Sequence, residues 1–221
     1  MHTDWHDPIN EYCFNQSSPE SPFLKAIHSF TWKNMLNPRM LSEHLQGSFL
    51  SHLVAVMQPQ NILEIGTFTG YSTACLLQNL PKNASLHTIE AHQETLFKTR
   101  EFWKSHNKEH LVQWHGGEAL KILPNLKIKF HLIFVDADKA NYQHYLDACL
   151  PMLSENGIIL FDNTLWSKRV VNEIDLLKDK DTRNMHEFNQ YACSIPGVVT
   201  TILPIRDGLT IIRKQNNLAE I

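Results

Sequence analysis

The stretch Leu63-Glu64-Ile65-Gly66-Thr67-Phe68-Thr69-Gly70-Tyr71-Ser72 combines the end of a strand, a tight turn and the start of a helix. The apolar run that ends at Ile65 predicts a buried strand, and the residues from Gly70 to Leu80 predict a helix. Gly66 permits a tight turn with close backbone approach, and Gly70 opens the helix. Such a strand–turn–helix unit is typical of α/β proteins.

The same alternation continues along the chain towards the C-terminus. Short apolar segments predict strands at 62–65, 86–90, 111–114, 130–135, 157–161, 198–203 and 209–213. Longer amphipathic segments predict further helices at 93–106, 118–123, 142–153 and 182–194. Five strand–helix units and a closing hairpin predict an α/β protein with a doubly wound, mostly parallel, seven-stranded sheet and helices on both faces.

The N-terminal side differs from this pattern. Two helices are predicted between residues 22 and 57, separated by Pro38, and residues 1–20 are predicted to be a loose polar arm. No repeat and no Gly/Ser linker divides the chain. We therefore expect a single domain over residues 1–221, with the arm and helices up to about residue 57 and an α/β core over residues 58–221.

Composition narrows the classes of protein to consider. The 221 residues are 43% hydrophobic, enough for a sizeable core, and the formal net charge of −3 argues against a strongly basic nucleic-acid surface. No apolar run reaches the length of a membrane span, and Met1-His2-Thr3-Asp4-Trp5 lacks the features of a signal peptide. The four cysteines are far apart and are expected to be reduced. We expect a cytoplasmic enzyme without membrane contact.

The thirteen histidines raise the question of a histidine metal site. Two pairs have helical spacing, His2 with His6 and His106 with His110, but neither contains the Glu of an HExxH motif. Scattered surface histidines are the better interpretation.

Two carboxylates near the first two strand ends indicate a nucleoside ligand. Ligands of doubly wound sheets bind beyond the carboxyl ends of the strands. Gly66 and Gly70 are spaced G-x-x-x-G, unlike the G-x-G-x-x-G of dinucleotide sites, and Glu64 lies inside the strand end. Glu90 ends the second strand about twenty residues after the glycine turn, where an acidic residue can accept both ribose hydroxyls. Together these features predict binding of an adenosyl group.

Oxygen-bearing side chains follow the fourth and fifth strands. Asp136, Asp138 and Lys139 come after one strand, and Asp162 with Asn163 after the next. Helix caps or turns would explain isolated aspartates there. However, adjacent strand ends are only about 5 Å apart, so two ionised carboxylates would repel each other without a cation. Carboxylate and amide oxygens without Cys or His are typical of sites for Mg²⁺, Mn²⁺ or Ca²⁺.

These motifs, in this order, resemble the metal-dependent O-methyltransferase family that includes catechol and caffeoyl-CoA O-methyltransferases, especially its small bacterial members. The resemblance runs from about Met40 to Lys214 and includes Met40-Leu41-Ser42, Val135-Asp136-Ala137-Asp138-Lys139 and Arg206-Asp207-Gly208. It implies a Rossmann-like methyltransferase fold, S-adenosylmethionine as methyl donor, a divalent cation and a homodimer.

The resemblance also implies roles for individual residues. The implied metal ligands are Asp136, Asp162 and Asn163. The implied cofactor contacts are Met40, Ser42, Glu64, Gly66, Thr67, Ser72, Glu90, Glu118, Ala119, Asp136 and Asp138. Lys139 matches the family's catalytic lysine and acts with Asp136 in the reaction, whereas spacing alone allows a surface lysine paired with Asp138.

The implied reaction is methyl transfer to a metal-bound hydroxyl of a small catechol-like or phenolic substrate. A nearby cation would lower the pKa of Lys139, which could then accept the hydroxyl proton. The loop Ser167-Lys168-Arg169 has Lys168 where relatives usually have glycine, and this more cationic loop favours an acidic or phosphate-bearing acceptor. Trp166 is expected either to line the acceptor pocket or to pack in the interior.

Two alternatives remain open from the sequence. Some bacterial relatives methylate a hydroxyuridine in tRNA, which the basic Lys168 and Arg169 favour and the acidic balance disfavours. A nicotinamide-dependent dehydrogenase, or a non-catalytic nucleotide-binding module, would use a similar sheet, but the glycine spacing and the oxygen cluster argue against it.

Overall fold

The computed structural model describes residues 8–215. Within them the helices α1–α9 are Pro8–Asn15, Pro22–Asn34, His44–Met57, Tyr71–Leu77, Gln93–Ser105, Ala119–Ile122, Tyr142–Cys149, Glu173–Lys178 and Lys180–Ser194. The strands β1–β7 are Asn61–Ile65, Ser85–Glu90, Gln113–Gly116, Phe130–Val135, Leu153–Asp162, Val198–Leu203 and Leu209–Lys214. The His2–His6 pair and the segment judged for a signal peptide lie outside the described residues.

The strands form a seven-stranded sheet in the order β3-β2-β1-β4-β5-β7-β6. Strand β4 pairs in parallel with both β1 and β5, and β2 pairs in parallel with β3. Strand β7 runs antiparallel to β5 and to β6, which is the predicted closing hairpin. The predicted α/β class and the mostly parallel seven-stranded sheet are confirmed.

The structure corrects the predicted boundaries at several elements. Pro8–Asn15 forms a helix where a loose arm was predicted, and Phe14 packs edge-on against the ring of His44. Strand β3 begins two residues later than predicted because Glu109–Leu111 forms a 3₁₀ turn. Helix α8 was not predicted; it begins after Asn172, whose side chain accepts hydrogen bonds from two backbone amides of its first turn.

Contacts along the chain divide it into two compact units. The first unit contains Gly66–Gly117 and the described residues up to Gln60, with β2, β3 and the helices α1–α5. The second contains Asn61–Ile65 and the described residues from Glu118 onward, with the other five strands and α6–α9. The single domain over residues 1–221 stays a prediction.

Two further expectations concern the cysteines and membranes. Cys75 and Cys149 are buried, Cys13 and Cys193 are exposed, and all four are free thiols, as expected. Across residues 8–215, no helix combines the length and the apolarity that a membrane span requires.

Candidate active site

The glycine turn of the first unit is held rigidly by its neighbours. Gly70 has a positive φ of 82°, and a Cβ atom there would lie 2.8 Å from the Trp103 ring, so only glycine fits. Trp103 Nε1 donates to the carbonyl of Thr69 at 3.3 Å, and the Thr99 hydroxyl donates to the carbonyl of Phe68 at 2.8 Å. The backbone of this turn is therefore fixed before any ligand binds.

Glu90 is the residue that joins this turn to the end of β2. Its side chain is buried, and its two carboxylate oxygens accept hydrogen bonds from the backbone amides of Phe68, at 2.8 Å, and His92, at 2.9 Å. A carboxylate has about four acceptor positions, so further hydrogen bonds from a ligand remain possible. The predicted ribose acceptor thus also organises the turn.

The other predicted cofactor residues differ in exposure. In the first unit Ser42, Thr67 and Ser72 are buried, whereas Met40 is 61% exposed. In the second unit Glu64 and Ala119 are buried, whereas Glu118 is exposed and forms an ion pair with Lys121 at 2.8 Å. The Asp138 carboxylate accepts hydrogen bonds of 2.5 Å from Asn141 and from the Tyr145 hydroxyl. The cofactor contacts of these residues stay predictions.

The predicted metal ligands lie at the ends of two neighbouring parallel strands of the second unit, with Asp136 directly after β4 and Asp162 as the last residue of β5. Val135 at the end of β4 lies opposite Phe161 in β5, so Asp136 and Asp162 continue from paired positions. Asp162 accepts a hydrogen bond from the backbone amide of Asn163 at 2.7 Å. The structure therefore places both carboxylates at the same edge of the sheet, as the sequence predicts.

The donor set of this edge fits a hard cation. In the part of the chain from residue 8 to 215, no group of three or more His, Cys, Asp or Glu side chains is arranged for a metal ion. The predicted set contains only two carboxylates, so its third protein oxygen would come from the amide of Asn163. Oxygen ligands of this kind suit Mg²⁺ or Mn²⁺, which retain several waters.

Lys139 is in contact with this edge through its side-chain nitrogen. Its Nζ donates to Asp136 Oδ1 and to the Tyr142 hydroxyl, both at 2.7 Å, and its side chain is only 18% exposed. The alternative pairing of Lys139 with Asp138 is therefore wrong.

The protein's own groups raise the pKa of Lys139, and the lowering expected from a nearby cation stays a prediction. Burial by itself lowers the pKa of the ammonium group, but the carboxylate of Asp136 above all, together with that of Asp162, outweighs burial and raises the pKa. The positive charge of Lys139 thus offsets the repulsion between the carboxylates of Asp136 and Asp162. A cation held by the same carboxylates would offset the charge that raises this pKa.

The loop after β5 is anchored to the turn before β7. Trp166, Ser167 and Lys168 have left-handed φ values of 49°, 54° and 62°. The backbone amide of Ser167 donates to the carboxylate of Asp207. Burial raises the pKa of Asp207, although this hydrogen bond and the charges of Arg206 and Lys139 act in the opposite direction.

Arg169, in the loop predicted to be cationic, forms ion pairs within the protein. Its guanidinium lies 3.4 Å from Asp175 and 3.3 Å from Asp179, and these carboxylates offset part of the positive charge expected of this loop. The argument for an acidic or phosphate-bearing acceptor is weakened accordingly.

Tyr142 and Asp207 are residues near the site to which the sequence analysis assigned no role. Tyr142 was predicted to begin a helix and belongs to a motif of the family resemblance, but no contact with Lys139 was predicted for its hydroxyl. Its spacing of three residues from Lys139 is the signal that could have found it. Asp207 was noted in a motif, but its contact with Ser167 spans forty residues and carries no local signal.

Known proteins are similar to this chain over most of its length. The family model described as O-methyltransferase matches residues 14–215. A tapetum-specific methyltransferase of Arabidopsis thaliana is 34% identical over 203 residues, which are 88% of this chain and 87% of that protein. A caffeoyl-CoA O-methyltransferase of Medicago sativa is 30% identical over 221 residues, covering 94% and 89% respectively.

Solved structures are similar over nearly the whole chain. A Podospora anserina methyltransferase with bound S-adenosylhomocysteine has a TM-score of 0.87 and 27% identity, covering 95% of both chains. An O-methyltransferase of Bacillus cereus in complex with S-adenosylhomocysteine has a TM-score of 0.83 and 25% identity, covering 94% of this chain and 97% of that one.

Proposed function

Since this chain belongs to the O-methyltransferase family, we propose that its acceptor is a small catechol-like or phenolic substrate and that a divalent cation takes part. The chain is an S-adenosylmethionine-dependent O-methyltransferase, as its homologues and its fold indicate. The dehydrogenase and the non-catalytic module are thereby excluded. The observation that carries the proposal is the placement of Asp136, Asp162 and Lys139 around one edge of the sheet.

Asp136, Asp162 and Asn163 would hold the cation. When bound, it would acidify a hydroxyl of the acceptor. Lys139 would take up the hydroxyl proton at Nζ, which requires a neutral amine at that moment. Because the protein's own groups raise the pKa of Lys139, this role depends on a change of charge at Asp136 and Asp162.

Glu90 would accept the ribose hydroxyls of the methyl donor. The proposal is supported by its burial and by the two backbone amides that fix its carboxylate. Charge-assisted hydrogen bonds of this kind are strong and geometrically specific.

A homodimer and a cytoplasmic location stay proposals. The first unit exposes several large apolar side chains that one chain does not cover, and these are compatible with a second copy: Ile9, Tyr12, Leu36, Val56 and Phe97. Sedimentation at micromolar concentration would test the dimer.

The base assignment predicts the behaviour of Lys139→Ala. Its kcat with catechol should fall by about 10²–10⁴-fold, the usual range for general acid–base catalysis. Its affinity for S-adenosylhomocysteine should change little, and a higher pH should partly restore kcat. Lys98→Ala is the matched control, since Lys98 forms an exposed ion pair with Glu94. A kcat of Lys139→Ala within about threefold of wild type at every pH would remove Lys139 from the mechanism.

The acceptor class requires a separate experiment. Methylation should be measured on a panel of catechols and on bulk tRNA under the same conditions. Because Arg169 is already paired with Asp175 and Asp179, we expect turnover of catechols and none of tRNA. Efficient methylation of tRNA alone would replace the small-molecule acceptor by a hydroxyuridine.

A further inference from the structure

Tyr142 is a fully buried tyrosine whose ring and hydroxyl are both fixed. Its ring packs edge-on against Phe161 and Phe188, with centroid distances of 5.0 and 5.2 Å. Its hydroxyl lies 3.0 Å from the carbonyl oxygen of Asp162 and 3.3 Å from that of Val135. The two carbonyls belong to the ends of neighbouring strands, so the oxygen of Tyr142 is tied to the sheet itself.

The direction of the hydrogen bond to Lys139 follows from these contacts. A tyrosine hydroxyl has one proton, and backbone carbonyls can only accept. That proton is therefore directed to the strand ends, and the oxygen accepts from Lys139 Nζ at 2.7 Å. The aromatic ring also lies within 5.0 Å of Nζ, a favourable distance for a cation–π contact.

We propose that Tyr142 is a positioning residue, whose hydroxyl keeps the Lys139 amine in place while Asp136 is engaged with the cation. This inference rests on the proposed roles of Lys139 and Asp136. Lys139 Nζ donates two hydrogen bonds of equal length, one to the carboxylate of Asp136 and one to the hydroxyl of Tyr142. A cation would compete for the first, whereas the second is held by backbone atoms and by a packed ring.

The first test measures where Lys139 is held, without turnover. Acetylation of Lys139 by limiting acetic anhydride is followed by mass spectrometry, with and without Mg²⁺. Lys139 should label slowly in wild type under both conditions. In Tyr142→Phe, Mg²⁺ should raise the labelling rate about 5-fold, as expected for the loss of one hydrogen bond. Labelling of Tyr142→Phe equal to wild type under both conditions would overturn the positioning role.

The matched control is Tyr191→Phe. It also removes one tyrosine hydroxyl, which bonds Asp147 on the surface of the second unit. Its Lys139 labelling should equal that of wild type, with and without Mg²⁺. An equal rise in this variant and in Tyr142→Phe would also overturn the proposal, because the effect would then be a general loosening.

The second test is a double-mutant cycle on single-turnover methyl transfer to catechol. Tyr142→Phe should lower the rate about 10-fold in the wild-type background and leave the rate of Lys139→Ala unchanged, because coupled residues are not additive. An equal loss in both backgrounds would overturn the positioning role alone. Lys139→Ala with the wild-type rate would overturn the base assignment, and the positioning role with it.

Discussion

Glu90 fixes the glycine turn through its carboxylate and is also the proposed ribose ligand. Its two oxygens accept hydrogen bonds from backbone amides, one from Phe68 in the glycine turn and one from His92 after β2. Glu90→Ala should therefore weaken binding of S-adenosylhomocysteine by about 1–3 kcal/mol, the range for hydrogen bonds to a charged group. Calorimetry measures this, with Glu94→Ala as an exposed control. An unchanged affinity in a folded Glu90→Ala variant would show that Glu90 is not the ribose ligand.

At the residue scale, site residues could be predicted from the sequence where polar side chains lie at the end of a strand. Asp136 and Asp162 could be placed together because residues after adjacent parallel strands share one edge. The contact of Tyr142 with Lys139 was missed despite their spacing of three residues, because the spacing alone does not show the 3₁₀ turn Lys139–Asn141 that leads into α7. The ion pair of Arg169 with Asp179 was not predicted either, because it depends on helix α8, which lies between the two residues and was not predicted.

At the scale of elements, the turn 205–208 is built around one glycine. A Cβ atom at Gly208 would lie 2.5 Å from the backbone nitrogen of Leu165, and its φ is 92°. Gly197 has a similar φ of 73°, but nothing lies within 4 Å of its Cβ position. Substitutions at Gly197 and Gly208 therefore distinguish the cost of a left-handed backbone from the cost of steric overlap.

Alanine at these two glycines should have different effects on stability. Gly197→Ala should lower the free energy of unfolding by about 1–2 kcal/mol, the cost of a left-handed non-glycine residue. Gly208→Ala should cost about 1–3 kcal/mol more, the range for an overpacked site. Urea unfolding measures both. Equal losses in the free energy of unfolding would mean that Leu165 moves away from the added Cβ atom at no energetic cost. The loop after β5 would then not be firmly anchored.

The pair of strands β2 and β3 carries two histidines in contact. His87 Nδ1 lies 3.0 Å from His115 Nε2, and burial lowers the pKa of both, with the charge of His115 adding to the effect on His87. Below the ordinary pKa of 6.5 the unfolded chain therefore binds more protons than the folded one. Acidification from pH 7 should lower the stability of the protein.

The variant His115→Gln tests this linkage. It removes one titrating ring and the charge that acts on His87, so its stability should fall less than that of wild type between about pH 7 and pH 5.5. Urea unfolding at both values gives the comparison. An identical loss in the two proteins would show that the histidine pair does not contribute to the acid sensitivity.

At the scale of the whole molecule, the class of fold was predictable and the finer organisation was not. Alternating apolar and amphipathic segments predict strands, helices and a parallel sheet because burial imposes those periods. They do not encode which strands become neighbours, so the order β3-β2-β1-β4-β5-β7-β6 had to come from the structure. The helix Pro8–Asn15 escaped prediction because none of its residues is buried and its sequence has little periodicity.

We propose that Asp136, Asp162 and Asn163 hold a divalent cation that the reaction needs, and turnover after removal of metal is the decisive measurement. The protein is treated exhaustively with EDTA, its metal content is measured, and methylation of an accepted catechol is followed before and after Mg²⁺ or Mn²⁺ is added. Turnover should be lost with the metal and restored by the added cation. Full turnover by protein in which no metal is detected would show that the reaction needs no cation at these residues.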